Sequence, residues 1–187
     1  MTEPSFTHRT PEGDDVARRI CDTCGFVAYE NPKIVVGSVV HHGGGILLCR
    51  RAIEPRRGFW TIPAGYLELN ETPEEGARRE AREEANAALR IDRLLSVYSV
   101  PRISQVQLIY RASLAESGFS AGPESLDVAL FAFEDIPWDE IAFPSVHWAL
   151  NHDREAEAGA PPVPFANPQG ATGNMMPDGR RLGHGEF

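Results

Sequence analysis

The 187-residue chain is 42% hydrophobic and 24% charged, a globular balance rather than a disordered or fibrous one. Its net charge of −9 argues against nonspecific nucleic-acid binding and against docking on an anionic membrane, while leaving open a nucleotide partner bridged by a metal. No apolar run approaches a membrane span, the N-terminus lacks the apolar core of a signal peptide, and three cysteines make no disulfide framework, so the expected compartment is the cytoplasm.

Residues 1–32 read as a polar N-terminal extension carrying Cys21-Asp22-Thr23-Cys24-Gly25. A C-x2-C-G knuckle offers two thiolates, half of a tetrahedral zinc site. Cys21 and Cys24 are therefore the candidate zinc ligands, but no second C-x2-C follows, and His8 alone does not finish the set. Lys33 to His42 is β-branched and apolar, so it predicts a strand buried on both faces. The glycine run at 43–45 predicts a hairpin turn into a return strand over Ile46 to Arg51. Arg50 and Arg51 end that strand, and Arg51 is a candidate phosphate contact because guanidinium suits bidentate binding. Cys49 reads as a small core residue. Phe59 and Trp60 follow a loop. Trp60 is a candidate ring-stacking residue, although a core tryptophan is the commoner outcome.

Residues 65–87, GYLELNETPEEGARREAREEANA, carry the chemistry. Thr72 is placed to cap a helix, Pro73 suits its first position and Glu75 closes a capping box, so a helix is predicted from Pro73 to about Ala88. On it Glu80, Glu83 and Glu84 share a face at i, i+3 and i+4. Like charges this close repel by roughly 0.2–0.5 kcal/mol per pair even in water. A hard divalent cation with oxygen ligands removes that repulsion. Pro63-Ala64-Gly65 brings bare backbone nearby, where a carbonyl at Ala64 could complete the coordination. Glu71 reads as the partner of Arg79, anchoring the loop to the helix. The alternative is a solvated, salt-bridged helix, with Arg78, Arg79 and Arg82 among the acids.

The spacing Gly65, Glu71, Arg79-Glu80, Glu83-Glu84 resembles the Nudix box, G-x5-E-x7-R-E-x2-E-E, at every charged position. The glycine usual near the end of that box is Asn86 here, a residue that also tolerates the left-handed conformation. The resemblance implies a catalytic group of Glu83, Glu80 and Arg79, with Mg²⁺ or Mn²⁺ on Glu80, Glu83, Glu84 and Ala64. It also makes CDTCGFVAYENPK similar to the second half of the zinc ribbon that precedes some Nudix domains. The place of the first cysteine pair reads Ser5-Phe6-Thr7-His8, so the ribbon is expected to be degenerate and to hold its turn without zinc.

Beyond the box, Ile91 to Val100 and Val106 to Leu114 alternate well enough for two strands, and Leu126 to Phe133 for a third. Glu124 and Asp127 flank the start of the third. The resemblance implies a carboxylate here that reaches over the metal, as base or extra ligand, and Glu124 is the candidate at the substrate. Pro144 opens a helix to about Ala158, on which His147, like the nearby His152, reads as a packing or surface residue. From 159 to 187, five prolines and six glycines predict a disordered tail.

The elements predict an α/β fold, and the resemblance implies an α/β/α sandwich with a mixed sheet over residues 33–158. It further implies hydrolysis of a nucleoside diphosphate linked to another moiety. GFWTIPAGYLE, Gly122-Pro123-Glu124-Ser125 and LFAFEDIP resemble the ribbon-bearing FAD and ADP-ribose pyrophosphatases. FAD or ADP-ribose is thus the implied substrate, with NADH or another dinucleotide, or a non-catalytic nucleotide sensor, as alternatives. An aromatic platform for the substrate ring would come from Phe59, Trp60, Tyr66 or Tyr110. Many relatives are dimers, so a homodimer is the implied assembly, with a small nucleotide as partner and neither nucleic acid nor membrane.

Overall fold

The computed structural model describes residues 3–182, and these fold as two compact units that divide between Pro32 and Lys33. The first is a small antiparallel sheet of β1 (Phe6–Arg9), β2 (Arg18–Cys21) and β3 (Val27–Ala28) in that order. These strands are too short to be legible as sequence periodicity. After β2 the chain turns back through Gly25, which donates its N–H to the Cys21 carbonyl at 2.9 Å.

The second unit holds β4 (Lys33–His42), β5 (Gly45–Arg51), β6 (Trp60–Thr61), β7 (Ala64–Tyr66), α1 (Pro73–Ala85), β8 (Leu89–Val100), β9 (Gln105–Leu114), β10 (Ser125–Phe131) and α2 (Pro144–Glu157). The sheet order is β10-β5-β4-β9-β8, with β6 added to β5 and β7 to β4. The β4–β9 pair is parallel and the other pairs are antiparallel, so the sheet is mixed.

Period-two alternation along the central strands builds two cores. Val39, Ile46 and Leu48 point to one face and pack with Leu95, Tyr98 and α2 residues Val146, Ala149 and Leu150. Val40, Leu47 and Cys49 point to the other and pack with Ala81 and Ala85 of α1. The helices therefore cover opposite faces, which makes the α/β/α sandwich. Leu47 and Leu48 are fully buried, each contributing about 1.5–3 kcal/mol. Cys49 is a core residue, 1% exposed.

Helix α1 starts as predicted: Thr72 accepts the Glu75 N–H, and Glu75 reaches back to the Thr72 N–H. It stops three residues short of the predicted end, because Asn86 takes a left-handed conformation with φ 48°. Among the described residues, the segment after α2 has no helix and only single β-bridges, in keeping with its proline and glycine content, yet residues 165–182 are tethered. Phe165 exchanges backbone hydrogen bonds with Leu95 and Val97 of β8, and its ring stacks on His152 at 4.4 Å. Asn167 bonds both the N–H and the carbonyl of Ser99, and Met176 and Leu182 are buried. A short apolar anchor every few residues is enough to hold such a segment. The prediction for residues 183–187 lies outside the described residues.

His147, on the first turn of α2, is buried; its Nε2 has no hydrogen-bond partner among the described residues. The ring stacks on Trp138, with centroids 5.6 Å apart. Burial pulls its pKa down to about 4, against opposing pulls from Asp178 and Asp139. A base whose folded pKa lies below its unfolded value leaves stability intact above the unfolded pKa, here the ordinary 6.5, and removes it as pH falls toward 4. We predict that His147→Gln gains on the parent by roughly 2 kcal/mol between pH 7 and pH 4.5. Urea denaturation of both proteins at the two pH values checks this, and parallel stabilities at both would refute it.

Candidate active site

The box folds into one wall of a cleft of about 440 Å³. Strand β7 lies antiparallel on β4 with Gly65 opposite Val36, and α1 crosses behind it. A Cβ at Gly65 would run into the Glu80 carboxylate, so glycine here is what lets that acid approach the backbone. Glu80 and Glu84 are 8% and 5% exposed, while the Glu83 side chain is 53% exposed. All three line the cleft with Ala64 and Gly65. Glu84 Oε2 accepts the Ala64 N–H at 3.0 Å. Burial pushes the Glu84 pKa up to about 8, with Glu80 and Glu124 adding repulsion against the Ala64 hydrogen bond and Arg51. Burial likewise raises Glu80, opposed by Arg79. Two buried carboxylates whose charge burial disfavours, with a third on the same helix face, make an all-oxygen donor set that fits Mg²⁺ or Mn²⁺.

Arg79 locks this wall together. Its guanidinium makes two bonds to Glu71 (3.1 and 2.8 Å), one each to Glu80 (2.7 Å) and Glu83 (2.9 Å), and one to the Tyr66 carbonyl (2.9 Å). Glu71 also accepts the Glu68 N–H at 2.8 Å, so the loop before the helix is fixed at both ends. The Arg79–Glu71 hydrogen bonds hold Glu71 below its usual pKa.

Arg51 and Glu124 line the same cleft, both close enough to act electrostatically on Glu84. Arg51 donates Nε–H to the Pro55 carbonyl at 2.8 Å and lies over the Phe143 ring at 5.2 Å. Arg50 points elsewhere, donating to the Gly58 carbonyl at 2.8 Å and reaching Glu140 at 3.7 Å. Asp127 does not line the cleft and instead accepts the N–H of its neighbour Val128.

Trp60 requires a correction. Its ring is 7% exposed, packs edge-on against Phe131 at 5.0 Å within the α2-side core and does not line the cleft. The strand β6 that carries it pairs with β5, which turns the side chain inward. Tyr110 is buried under α1 with Ala77, and Phe59 lies beneath Arg56. Tyr66 does line the cleft, with Lys33 Nζ 5.0 Å from its ring centre.

Sequence reasoning missed Phe143, Gln105 and Gln107 in the cleft. Gln107 donates to Gln105 and Gln105 to the Tyr66 hydroxyl, both at 3.2 Å, a polar row within the cleft lining. Two glutamines two apart at the start of a strand were the available signal. It also missed Gly173, which the tethered tail brings to the rim.

Two other clusters differ in kind. His41, Asp153 and Glu157 bring ligand atoms within 4.8 Å of one another. Arg111 already bonds Asp153 at 2.8 Å and Glu157 at 2.6 Å, so the group is an ion-pair network tying α2 to β4 and β9. In the N-terminal unit, hydrogen bonds from the Cys24 and Thr23 backbone lower the Cys21 thiol pKa, and no third His, Cys, Asp or Glu joins Cys21 and Cys24 among the described residues. The Ser5 carbonyl accepts the Asp22 N–H (2.9 Å), and Thr7 Oγ1 donates to the Asp22 carboxylate (2.8 Å). These bonds tie the knuckle to the strand that holds the place of the missing cysteine pair.

Comparison with known proteins points one way. The profile described as NUDIX domain matches residues 31–149, and the one described as Nudix N-terminal matches residues 3–30. A solved structure of a NUDIX hydrolase from Nitrosomonas europaea is 45% identical, covers 87% of this chain and 93% of its own, and superposes with a TM-score of 0.82. An ADP-ribose pyrophosphatase from Methanocaldococcus jannaschii is 28% identical over 62% of this chain and 69% of its own length. An NAD-capped RNA hydrolase from Haemophilus influenzae is 33% identical over 44% of this chain, a match that takes in only 32% of that protein.

Proposed function

Because the chain belongs to the Nudix hydrolases, we propose that it cleaves the pyrophosphate bond of a nucleoside diphosphate joined to a second group, with FAD or ADP-ribose the favoured substrate. One observation carries this reading: three acids of one helix, a backbone turn, Arg51 and Glu124 all line a single cleft. The cleft volume lies in the range that encloses a drug-sized ligand.

The residues divide the work. Glu80, Glu83 and Glu84, with Ala64, would hold Mg²⁺ or Mn²⁺, a metal that in such sites neutralises phosphate charge and activates water. Arg79 is a positioning residue, since its hydrogen bonds go to Glu71, Glu80, Glu83 and the Tyr66 carbonyl rather than into open space. Arg51, held by Pro55 and Phe143, offers its outer guanidinium nitrogens to a phosphate oxygen. A water attacking phosphorus needs a carboxylate to take its proton, and Glu83 or Glu124, both lining the cleft, fills that role. Tyr66 and Phe143 supply aromatic surface for the ring of the substrate, and Gln105 and Gln107 supply amide donors and acceptors.

The ADP-ribose relative and the two amides favour an adenine-bearing substrate. The test is a panel of ADP-ribose, FAD, NADH and nucleoside triphosphates with Mg²⁺, read by phosphate-containing products. We expect AMP from ADP-ribose or FAD at rates well above those for triphosphates. Failure to cleave any dinucleotide or ADP-ribose would discard the substrate assignment.

A further inference from the structure

The left-handed residue that ends α1 does more than stop the helix. Asn86 Nδ2 reaches three acceptors on the loop between β9 and β10: the Ser120 carbonyl at 3.3 Å, the Ser120 hydroxyl at 3.1 Å and the Ala121 carbonyl at 3.2 Å. The same loop caps the helix from its own side. Ser120 donates its N–H to the Ala85 carbonyl at 2.9 Å, and Gly122 donates to the Glu84 carbonyl at 3.0 Å. These carbonyls belong to the last turn, which a helix leaves without internal partners. The approach is so close that a Cβ on Gly122 would collide with the Glu83 carbonyl. Two residues later the loop delivers Glu124 to the cleft, near enough to raise the Glu80 and Glu84 pKa values electrostatically.

We propose that Asn86 is a positioning residue: its amide latches the 116–124 loop onto the end of α1 and thereby sets where Glu124 stands relative to Glu80 and Glu84. Helix end and loop share a joint at which Asn86 lies two residues from Glu84 and Gly122 two residues from Glu124. A side chain that can both adopt positive φ and donate from an amide serves both halves of the joint. Glycine serves only the first, and aspartate presents acceptors where the loop already presents carbonyls. The catalytic half of this inference rests on the proposed role of Glu124; the latch itself does not.

Asn86→Gly is the informative variant, because glycine favours φ 48° and removes only the amide. Asn86→Asp is its partner, keeping size and conformation while reversing the hydrogen-bond sense. Amide exchange of Ser120 and Gly122 is measured in each, with kcat and KM for ADP-ribose in Mg²⁺. The latch predicts exchange at both amides faster by about fivefold or more in both variants. It also predicts a kcat loss of about threefold to tenfold with KM nearly constant, and no added loss when Asn86→Gly is combined with Glu124→Gln. Unchanged exchange at those amides overturns the latch whatever the substrate proves to be. Equal kcat losses from Asn86→Gly with and without Glu124 overturn its route to the chemistry. If ADP-ribose is not turned over at all, the substrate reading falls and the exchange result alone decides the latch.

Discussion

Glu84→Gln should lower kcat/KM for ADP-ribose by roughly 10²–10³, the size of effect seen when one preorganised charge-stabilising group is removed from an active site. The substitution suits the site because it is nearly isosteric. The amide oxygen can still accept the Ala64 N–H that Glu84 Oε2 now accepts at 3.0 Å, so the turn and helix keep their contact. What is lost is the negative charge and one ligand oxygen. The same side chain predicts an opposite effect on stability. An acid whose folded pKa is raised, here to about 8, makes the metal-free protein lose stability as pH climbs from the usual 4.5 through 8. Without metal, Glu84→Gln should therefore be the more stable protein at pH 8, and saturating Mg²⁺ should close or reverse the gap by stabilising only the parent. Thermal melts at pH 5 and 8, with and without Mg²⁺, check this beside the kinetics. Full activity in the variant, or a stability difference indifferent to both pH and Mg²⁺, would sink the role given to Glu84.

How much of this was readable before the structure depends on the kind of signal. The box was legible because it couples a helix start, written in Thr72, Pro73 and Glu75, to charges spaced for one face. Central strands were legible because two-sided burial requires apolar runs, although that burial begins only at Val36 and leaves Ile34 exposed. Trp60 was harder, because an aromatic at a loop end gives no sign of its direction. That direction is set by pairing between β6 and β5, a contact across about ten residues of chain that no local pattern encodes. The helix end was mis-set for a related reason: alanines at 85, 87 and 88 favour continuation, and the left-handed turn at Asn86 is fixed by a loop more than thirty residues away. The tail shows the same limit. Composition describes its lack of regular structure, but Phe165, Asn167 and Met176 act singly, each finding a site that exists only once β8 and α2 are in place.

Arg79→Ala should be the most destabilising single change in the site, by about 2–4 kcal/mol in the absence of metal. The guanidinium is the shared partner of Glu71, Glu80 and Glu83, whose side chains are 16%, 11% and 53% exposed. Removing it leaves two largely shielded carboxylates, Glu71 and Glu80, without their cation. Its own side chain is 24% exposed, so solvent screening puts the loss below that of a fully buried pair. For a chain of this length the loss corresponds to a fall in Tm of roughly 5–12 °C. Arg79→Lys should recover only part of it, because one ammonium cannot reproduce the fork that spans two oxygens of Glu71 while also reaching Glu80 and the Tyr66 carbonyl. Mg²⁺ separates this account from simple loss of packing: a cation drawn to the same acids should restore more stability to Arg79→Ala than it adds to the parent. Calorimetric melts of parent, lysine and alanine variants across a Mg²⁺ titration measure all three quantities. If Arg79→Ala melts within about 1 °C of the parent, or responds to Mg²⁺ no more strongly than the parent does, Arg79 is not what holds these acids together.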